Sequence, residues 1–158
     1  MTPVVPVAPF VIRPARRDEA GALSALALRS KAHWGYDEAF MAACRDELTL
    51  TEEAAADSFV AVTEEDGTVL GFTTLGGAPP EGELAMMFVE PHAMGRGVGR
   101  RLFAHVAAAA RAAGFTRLTI DADPAAEPFY RAMGAVRIGS TPSGSIPGRT
   151  LPLLELTL

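Results

Sequence analysis

Residues 84–102 read LAMMFVEPHAMGRGVGRRL, and this stretch decides the fold. The apolar run over residues 84–89 predicts a strand, which ends at Pro91 because proline restricts the residue before it to extended geometry. Apolar residues spaced for one buried helical face then predict a helix that begins at about Gly97 and stops at Gly114. The sequence therefore predicts a strand, a glycine-rich turn and a helix in direct succession.

The turn at residues 95–99 alternates glycine with Arg96 and Val98. Glycine has no Cβ, so main-chain N–H groups can approach a ligand closely. The helix that follows directs its free N–H groups and the positive end of its dipole back at the same turn. This combination predicts an anion site, most simply for a phosphate or a pyrophosphate.

Two common phosphate-binding motifs fit the turn poorly. A Walker A loop ends in Gly-Lys followed by Ser or Thr, whereas Gly99 is followed by Arg100 and Arg101. A dinucleotide fingerprint has the spacing G-x-G-x-x-G, whereas this turn reads G-R-G-V-G-R and lies near the middle of the chain. A nucleotide-binding α/β protein is nevertheless kept as one of three interpretations.

Composition limits the classes of protein to consider. The chain has 158 residues, 49% of them hydrophobic, so we expect one domain over residues 10–158 after a flexible lead at residues 1–9. A net charge of −5 without a basic run argues against nucleic acid as a partner and weakly favours cationic substrates. Cys44 is the single cysteine, and no Cys/His cluster has zinc spacing, so we expect neither an internal disulfide nor a metal site. No apolar run is long enough to span a membrane and the N-terminus lacks a basic signal region, so we expect a cytoplasmic protein.

Hydrophobic periodicity and turn residues predict the element order β-α-α-β-β-β-α-β-α-β-β. The predicted strands cover residues 10–12, 59–63, 69–75, 84–89, 115–120, 135–138 and 151–158. The predicted helices cover residues 15–31, 37–48, 97–113 and 125–133. Asp66-Gly67 predicts a hairpin turn, and residues 76–82 and 140–149 are predicted to be loops, the first of them flexible.

Two motifs in this order resemble the GNAT superfamily of N-acetyltransferases. The family pattern V-x-P, followed by Q/R-x-x-G-x-G/A, matches residues 89–91 and 94–99, with Met94 where the family usually has Gln or Arg. Residues 126–135, AEPFYRAMGA, resemble the family segment A-x-x-F-Y-x-x-x-G-F/A. The resemblance spans about residues 10–158. It implies an α/β (α+β) fold with a mixed, mostly antiparallel sheet of about seven strands and helices on both faces.

The resemblance also implies an activity and a cofactor site. The activity is transfer of an acetyl group from acetyl-CoA to a primary amine of a small molecule or peptide, by direct attack. Strands 84–89 and 115–120 would splay apart and admit the pantetheine arm, and the main chain of Phe88 and Val89 would polarise the thioester. The residues implied in cofactor binding are Phe88, Val89, Met94, Gly95, Arg96, Gly97, Val98, Gly99, Arg100 and Phe129, with Arg101 adding charge.

For catalysis the resemblance points to Tyr130 as the proton donor to the thiolate and to Glu83 as the base. Tyr130 could equally be a core tyrosine and Glu83 an exposed strand-end residue, with Glu81, Asp121 or His33 as a substitute base. Cys44 has no matched His-Asp partner, so we expect no acyl-enzyme.

The resemblance thus predicts Tyr130 as the acid and Glu83 as a base that acts through water. On the acceptor side, His33, Trp34 and Tyr36 lie where the family has its substrate-side helix pair, so they are predicted to bind the acceptor. A packed aromatic corner is the alternative, particularly for Trp34. The family often has Asn in the loop after the strand at residues 115–120, whereas the loop here, residues 123–126, has no amide side chain.

Three readings of the chain therefore remain. The first is the acetyl-CoA-dependent N-acetyltransferase. The second is a non-catalytic acyl-CoA-binding or sensor module on the same fold, and the third is the nucleotide-binding protein. Arg149 either binds an acceptor carboxylate or decorates a hairpin, and the terminal strand could pair two copies into a homodimer.

Overall fold

The computed structural model describes residues 10–57 and 59–158, so the predicted lead at residues 1–9 lies outside them. Seven strands form one sheet: β1 (Val11–Pro14), β2 (Ala61–Glu65), β3 (Thr68–Ala78), β4 (Glu81–Val89), β5 (Arg117–Asp121), β6 (Val136–Pro142) and β7 (Thr150–Thr157). Their order across the sheet is β1-β2-β3-β4-β5-β7-β6, and every neighbouring pair is antiparallel except β4 and β5. The predicted fold class, a mixed and mostly antiparallel sheet of about seven strands, is confirmed.

Five helices cover the two faces of this sheet: α1 (Ala20–Ala32), α2 (Glu38–Cys44), α3 (Glu52–Ala55), α4 (Val98–Ala112) and α5 (Glu127–Ala132). One core lies beneath α1, with Leu23, Leu26 and Phe72 buried in it. A second lies beneath α4 and α5 and includes Phe103 and Ile120. A third, which includes Leu70 and Leu102, lies beneath the first turns of α4. In the part of the chain described, no helix is both long and apolar enough to cross a membrane.

The sequence of α4 explains its position against the sheet. Val98, Leu102, Val106 and Ala110 recur every four residues, and each is at most 3% exposed. Residues at this spacing lie on one helical face, so burying them presses the whole helix onto β3 and β4. The first turn of α4 is thereby held at the end of β4, next to the glycine turn.

The edge strand β1 is fixed by an ion cluster that we call the outer cluster: Arg13, Glu19 and Glu64. The guanidinium of Arg13 donates two hydrogen bonds to Glu19, at 2.8 and 2.9 Å, and one to Glu64 at 3.0 Å. Glu19 also accepts from the Arg16 main-chain N–H at 2.8 Å. This cluster joins β1 to β2 and to the start of α1.

The prediction of a flexible loop at residues 76–82 is wrong. β3 continues to Ala78 and β4 begins at Glu81, so only Pro79 and Pro80 form the turn. Gly77 pairs directly with Gly82 in the ladder. A Cβ on Gly82 would lie 2.6 Å from the Phe115 ring, so this glycine permits close packing of a strand against a side chain.

Other differences are shifts of element boundaries. β6 continues to Pro142, so the predicted loop at residues 140–149 is shorter than expected. The strand predicted at residues 59–63 occupies Ala61–Glu65 instead, and the helix predicted at residues 37–48 ends at Cys44. The Asp66-Gly67 turn joins β2 to β3 as predicted.

β4 and β5 pair over a short distance only. Their parallel register covers Glu81 with Arg117, Gly82 with Leu118 and Glu83 with Thr119. From Leu84 to the end of β4, the edge of β4 that faces β5 has no strand partner, whereas its opposite edge stays paired with β3. The sheet is therefore split at its centre, as the resemblance to the GNAT superfamily implies.

Candidate active site

A cavity of about 650 Å³ occupies the split between β4 and β5. One end is lined by the glycine turn and the first turn of α4, and the middle by residues of β4 together with Phe129 and Tyr130. The other end is lined by Glu47, Ser143 and Arg149. We call this cavity the cleft, the first end its turn end and the last its acceptor end.

The glycine turn has the geometry that the sequence predicts for an anion site. Gly95 and Gly97 have φ values of 81° and 84°, in the left-handed region that favours glycine, and α4 begins directly after Gly97. Among the described residues, the N–H groups of Gly97, Val98, Gly99 and Arg100 donate to no protein acceptor. These N–H groups are free to bind an anion at the positive end of α4.

The side chains around the turn have different surroundings. A Cβ on Gly99 would lie 3.4 Å from the Phe129 ring, so a larger residue there would narrow the cleft. Met94 and Arg100 line the cleft. Arg96 instead donates to Glu65 at 2.7 Å, and its guanidinium lies 5.0 Å from the Phe10 ring.

The register of β4 shows which main-chain groups face the cleft. The Glu90 N–H donates to the Leu70 carbonyl oxygen at 2.7 Å, so Glu90 points at β3. Because main-chain groups alternate in direction along a strand, those of Val89 and Met87 point at the cleft and those of Phe88 at β3. Val89 is thus the better placed of the two residues expected beside the thioester, and Met87 is a further one that the motif does not indicate.

Tyr130 lines the middle of the cleft. Its residue is buried and packs against the rings of Phe103 and Phe129. The Tyr130 hydroxyl has no hydrogen bond to the described residues. It is also not fully enclosed, because among these residues Thr63 Oγ1 is the one enclosed side-chain polar atom without a partner. The Tyr130 hydroxyl therefore retains access to the cleft. Burial raises the pKa of Tyr130 above its ordinary value, and the negative charge of Asp123 raises it further. The phenol therefore stays protonated at neutral pH.

Glu83 lies at the last position where β4 still pairs with β5, just before the split. It does not line the cleft, whereas Asp121, at the end of β5, does. Burial raises the pKa of Glu83, and the charge of Asp121 raises it further. Burial also raises the pKa of Asp121, with Glu47 as the second cause. These carboxylates are close enough to influence each other at the mouth of the split.

Four residues form a polar network at the acceptor end, which we call the cleft cluster: Lys31, Tyr36, Asp123 and Arg149. Asp123 accepts from the Tyr36 hydroxyl at 2.8 Å and from Lys31 Nζ at 3.2 Å. Arg149 Nη2 donates to the Tyr36 oxygen at 2.8 Å. Burial tends to raise the pKa of Asp123, but hydrogen bonds from the Ala125 N–H, Tyr36 and Lys31 outweigh it and lower the pKa.

The three residues predicted to bind the acceptor have different surroundings in the structure. Trp34 lines the cleft and is 46% exposed, so it is not part of a packed aromatic corner. His33 is exposed and meets Trp34 edge to face, with 5.3 Å between the ring centroids. Tyr36 stacks on Phe40 at 4.0 Å and reaches the cleft through its bonds to Asp123 and Arg149. Their roles in binding remain predictions.

No pattern in the sequence groups the residues of the cleft cluster. Lys31 is the only lysine of the chain, and the loop at residues 123–126 has no Asn. Each of these two features can be seen in the sequence by itself. Their contact could not be inferred, because Tyr36 is 87 residues from Asp123 and 113 residues from Arg149 along the chain.

Comparison with known proteins agrees with this geometry. Residues 25–135 match the family described as "Acetyltransferase (GNAT) family". Because that match covers more than half of the chain, the chain belongs to the GNAT acetyltransferase family.

A single curated relative matches a smaller part of the chain than the family model does. The chain is 39% identical over 98 residues to the peptidyl-lysine N-acetyltransferase YiaC of Escherichia coli, a match that covers 61% of this chain and 64% of that protein. The chain thus spans less than two thirds of the length of the curated relatives that it matches.

Solved structures resemble the fold over nearly its whole length. A GCN5-related N-acetyltransferase from Rhodopseudomonas palustris is 25% identical, with a TM-score of 0.77 over 99% of this chain and 100% of that one. The PaiA N-acetyltransferase from Thermoplasma acidophilum, solved with coenzyme A, is 16% identical, with a TM-score of 0.77 over 94% of this chain and 99% of that one. The second likeness concerns the fold alone.

Proposed function

We propose that this protein transfers an acetyl group from acetyl-CoA to a primary amine of a small molecule or a peptide. The observation that carries the proposal is the split between β4 and β5, which ends at a turn whose N–H groups have no protein acceptor. The membership of the chain in an acetyltransferase family and the coenzyme A bound to a protein of the same fold support it.

The described residues fit coenzyme A along the length of the cleft. The free N–H groups of residues 97–100 match the oxygens of a diphosphate. The unpaired edge of β4 offers Met87 and Val89 as hydrogen-bond partners for the amides of a pantetheine arm. No group of His, Cys, Asp and Glu side chains within residues 10–57 and 59–158 is arranged to hold a metal ion, and the proposal does not use one.

The reaction follows from these positions. The neutral amine attacks the thioester carbonyl carbon, so a C–N bond forms and the C–S bond breaks. The Val89 main chain polarises the carbonyl, and Tyr130 donates a hydrogen bond to the departing thiolate, which takes up a proton from water. The proton lost by the amine passes through water to Glu83 or to Asp121, and the raised pKa of each makes it a stronger base than an ordinary carboxylate.

Turnover is tested by mixing the protein with acetyl-CoA and a panel of primary amines and lysine-containing peptides. We expect release of free thiol together with an acetylated amine in the mass spectrum. Binding of acetyl-CoA in calorimetry without thiol release across the panel would favour a non-catalytic acyl-CoA sensor. A rise in melting temperature with ATP or NAD, and none with coenzyme A, would favour the nucleotide-binding interpretation.

A further inference from the structure

The acceptor end of the cleft has two cations and one anion within its polar network. Lys31 and Arg149 line the cleft with side chains only 14% and 19% exposed. Asp123 lies between them, 3.2 Å from Lys31 and 3.8 Å from Arg149. The two cations share one carboxylate, so the four residues of the network together have a net charge of +1. A cation shielded from water is costly unless an anion approaches it.

Arg149 is the member with donors to spare. A guanidinium has five N–H donors, and Arg149 uses one of them, to Tyr36, within the described part of the chain. The rings of Tyr36 and Phe40 hold the guanidinium in place, at 5.2 and 4.8 Å from their centroids. A planar, pre-positioned guanidinium with free donors is suited to a carboxylate, which it binds through two parallel hydrogen bonds.

Carboxylates lie at the same end of the cleft. Glu47 and Asp121 line it, and the Ser145 hydroxyl donates to Glu47. Ser145 belongs to the loop between β6 and β7 that also carries Arg149. This loop thus carries the guanidinium of Arg149 and contacts the carboxylate of Glu47 at the acceptor end. A ligand with both an ammonium group and a carboxylate matches this pair of charges.

We propose that the acceptor is an amino acid or a similar small molecule whose carboxylate, close to the reacting amine, is bound by Arg149 with Lys31 beside it. This inference rests on the proposed acetyl transfer and names its acceptor class. The alternative role for Arg149 is mechanical, a clamp between the loop before β7 and the α1–α2 connection through Tyr36.

The test uses matched acceptors. The twenty amino acids, their carboxamides and simple alkylamines are supplied with acetyl-CoA, and kcat/KM from thiol release is expressed per neutral amine, because the carboxylate changes the pKa of the amine. We expect the best amino acid to exceed its carboxamide about 100-fold, since a charge-assisted bidentate contact is lost in the amide.

The variants distinguish recognition from clamping. Arg149→Gln should remove the preference for the acid while leaving the rate with the carboxamide within about threefold, and Arg149→Lys should restore part of the preference. The control, Arg137→Gln, changes a 43%-exposed arginine of β6 that does not line the cleft, and should change neither rate. Calorimetric binding of coenzyme A confirms that each variant is folded.

Three outcomes would overturn the inference. Equal use of acids and carboxamides, or turnover of alkylamines or peptides alone, would leave acetyl transfer intact and reject the carboxylate subsite. An equal loss on acid and carboxamide in Arg149→Gln would assign the arginine to clamping. Absence of thiol release with every amine and peptide would reject the proposed function itself, and this inference with it.

Discussion

The outer cluster and the cleft cluster contain similar residues but differ in how their charges are matched. In the outer cluster Arg13 lies between two carboxylates and directs three N–H donors at them, at 2.8 to 3.0 Å. In the cleft cluster Asp123 lies between two cations, and Arg149 is held 3.8 Å from it by a bond to Tyr36. The first arrangement satisfies its cation, and the second leaves donors free beside a cavity.

This difference separates groups that stabilise the fold from groups that are available to a ligand. Several polar groups without a full set of protein partners lie along the cleft: the N–H groups of residues 97–100, the Tyr130 hydroxyl and the guanidinium of Arg149. Because these groups face one cavity and are not satisfied by the protein, they are available to a ligand. The two regions should therefore respond differently to mutation, in activity on one side and in stability on the other.

Tyr130→Phe should have the largest effect on activity. Removing the hydroxyl takes away the hydrogen bond to the leaving thiolate, so kcat should fall about 100-fold. The free energy of unfolding should stay within about 0.5 kcal/mol, because the hydroxyl has no protein partner to lose. Stopped-flow or steady-state thiol release and urea denaturation measure the two quantities.

The affinity for coenzyme A serves as the control for Tyr130→Phe and should change less than about threefold, since the phosphate site is at the turn end of the cleft and Tyr130 lies in its middle. If kcat were unaltered, Tyr130 would be a core residue. If the variant instead lost stability, its hydroxyl would have a structural partner, and the contrast between the two regions would not hold.

Glu19→Gln in the outer cluster should show the opposite behaviour. The hydrogen bonds from Arg13 lower the pKa of Glu19 from 4.5 to about 2 against the opposing effect of burial, with the Arg16 N–H contributing. Losing the charge should therefore reduce the free energy of unfolding by about 2 kcal/mol at neutral pH. Thiol release at 25 °C should be unchanged, because the cluster is on the edge of the sheet.

The pH dependence of this loss follows from the lowered pKa. The ionised Glu19 stabilises the folded state fully above its unfolded pKa of about 4.5, and this contribution disappears as the pH falls towards 2. Wild type and Glu19→Gln should thus converge in stability at low pH. Glu52→Gln, which breaks an exposed pair with Arg17, is the matched control and should cost less than about 0.5 kcal/mol. A constant difference at all pH values would contradict the assignment.

The sequence was most informative where function is encoded locally. The glycine turn and α4 could be predicted because their residues are consecutive, and φ, caps and helix phase depend on neighbours along the chain. The split between β4 and β5 was expected only through the family resemblance. Nothing in residues 84–89 by themselves distinguishes a strand with an open edge from one paired on both sides.

Contacts between different segments of the chain could not be predicted from the sequence. The glycines of residues 76–82 predict a flexible loop, whereas Gly77 and Gly82 pair beside Phe115 in a tight hairpin. The position of Arg96 in the glycine turn does not indicate that its side chain donates to Glu65, 31 residues away. Charge composition shows how many ions a chain has, but which cation meets which anion is decided by the packed structure.

Gly97→Val should weaken coenzyme A binding by about tenfold. Its φ of 84° disfavours a residue with a branched Cβ, so the turn must change shape and its N–H groups lose their common direction. Gly67→Val is the matched control, since Gly67 has a φ of 79° and equally open space, but lies in the β2–β3 turn. Both variants should lose stability, and only Gly97→Val should lose affinity in calorimetry. Equal affinities would remove the turn from the phosphate site.

Glu83→Gln should have the smallest effect, about three- to fivefold in kcat/KM, because Glu83 lies outside the cleft lining and would act through water. Its raised pKa means that Glu83 loses its charge at a higher pH than an ordinary glutamate. The effect should be largest between that pKa and the pKa of the amine, near ~10, and should vanish above it, where the amine is already neutral.

Asp121→Asn completes the comparison of the two carboxylates, since Asp121 lines the cleft and Glu83 does not. A larger, pH-dependent loss in Asp121→Asn than in Glu83→Gln would make Asp121 the base and Glu83 the neighbour that adjusts its pKa. Glu81→Gln is the control, because Glu81 is 67% exposed and pairs with Arg117. A parallel drop at every pH in both variants would assign the two carboxylates to binding the acceptor's ammonium group, the counterpart of the carboxylate contact at Arg149.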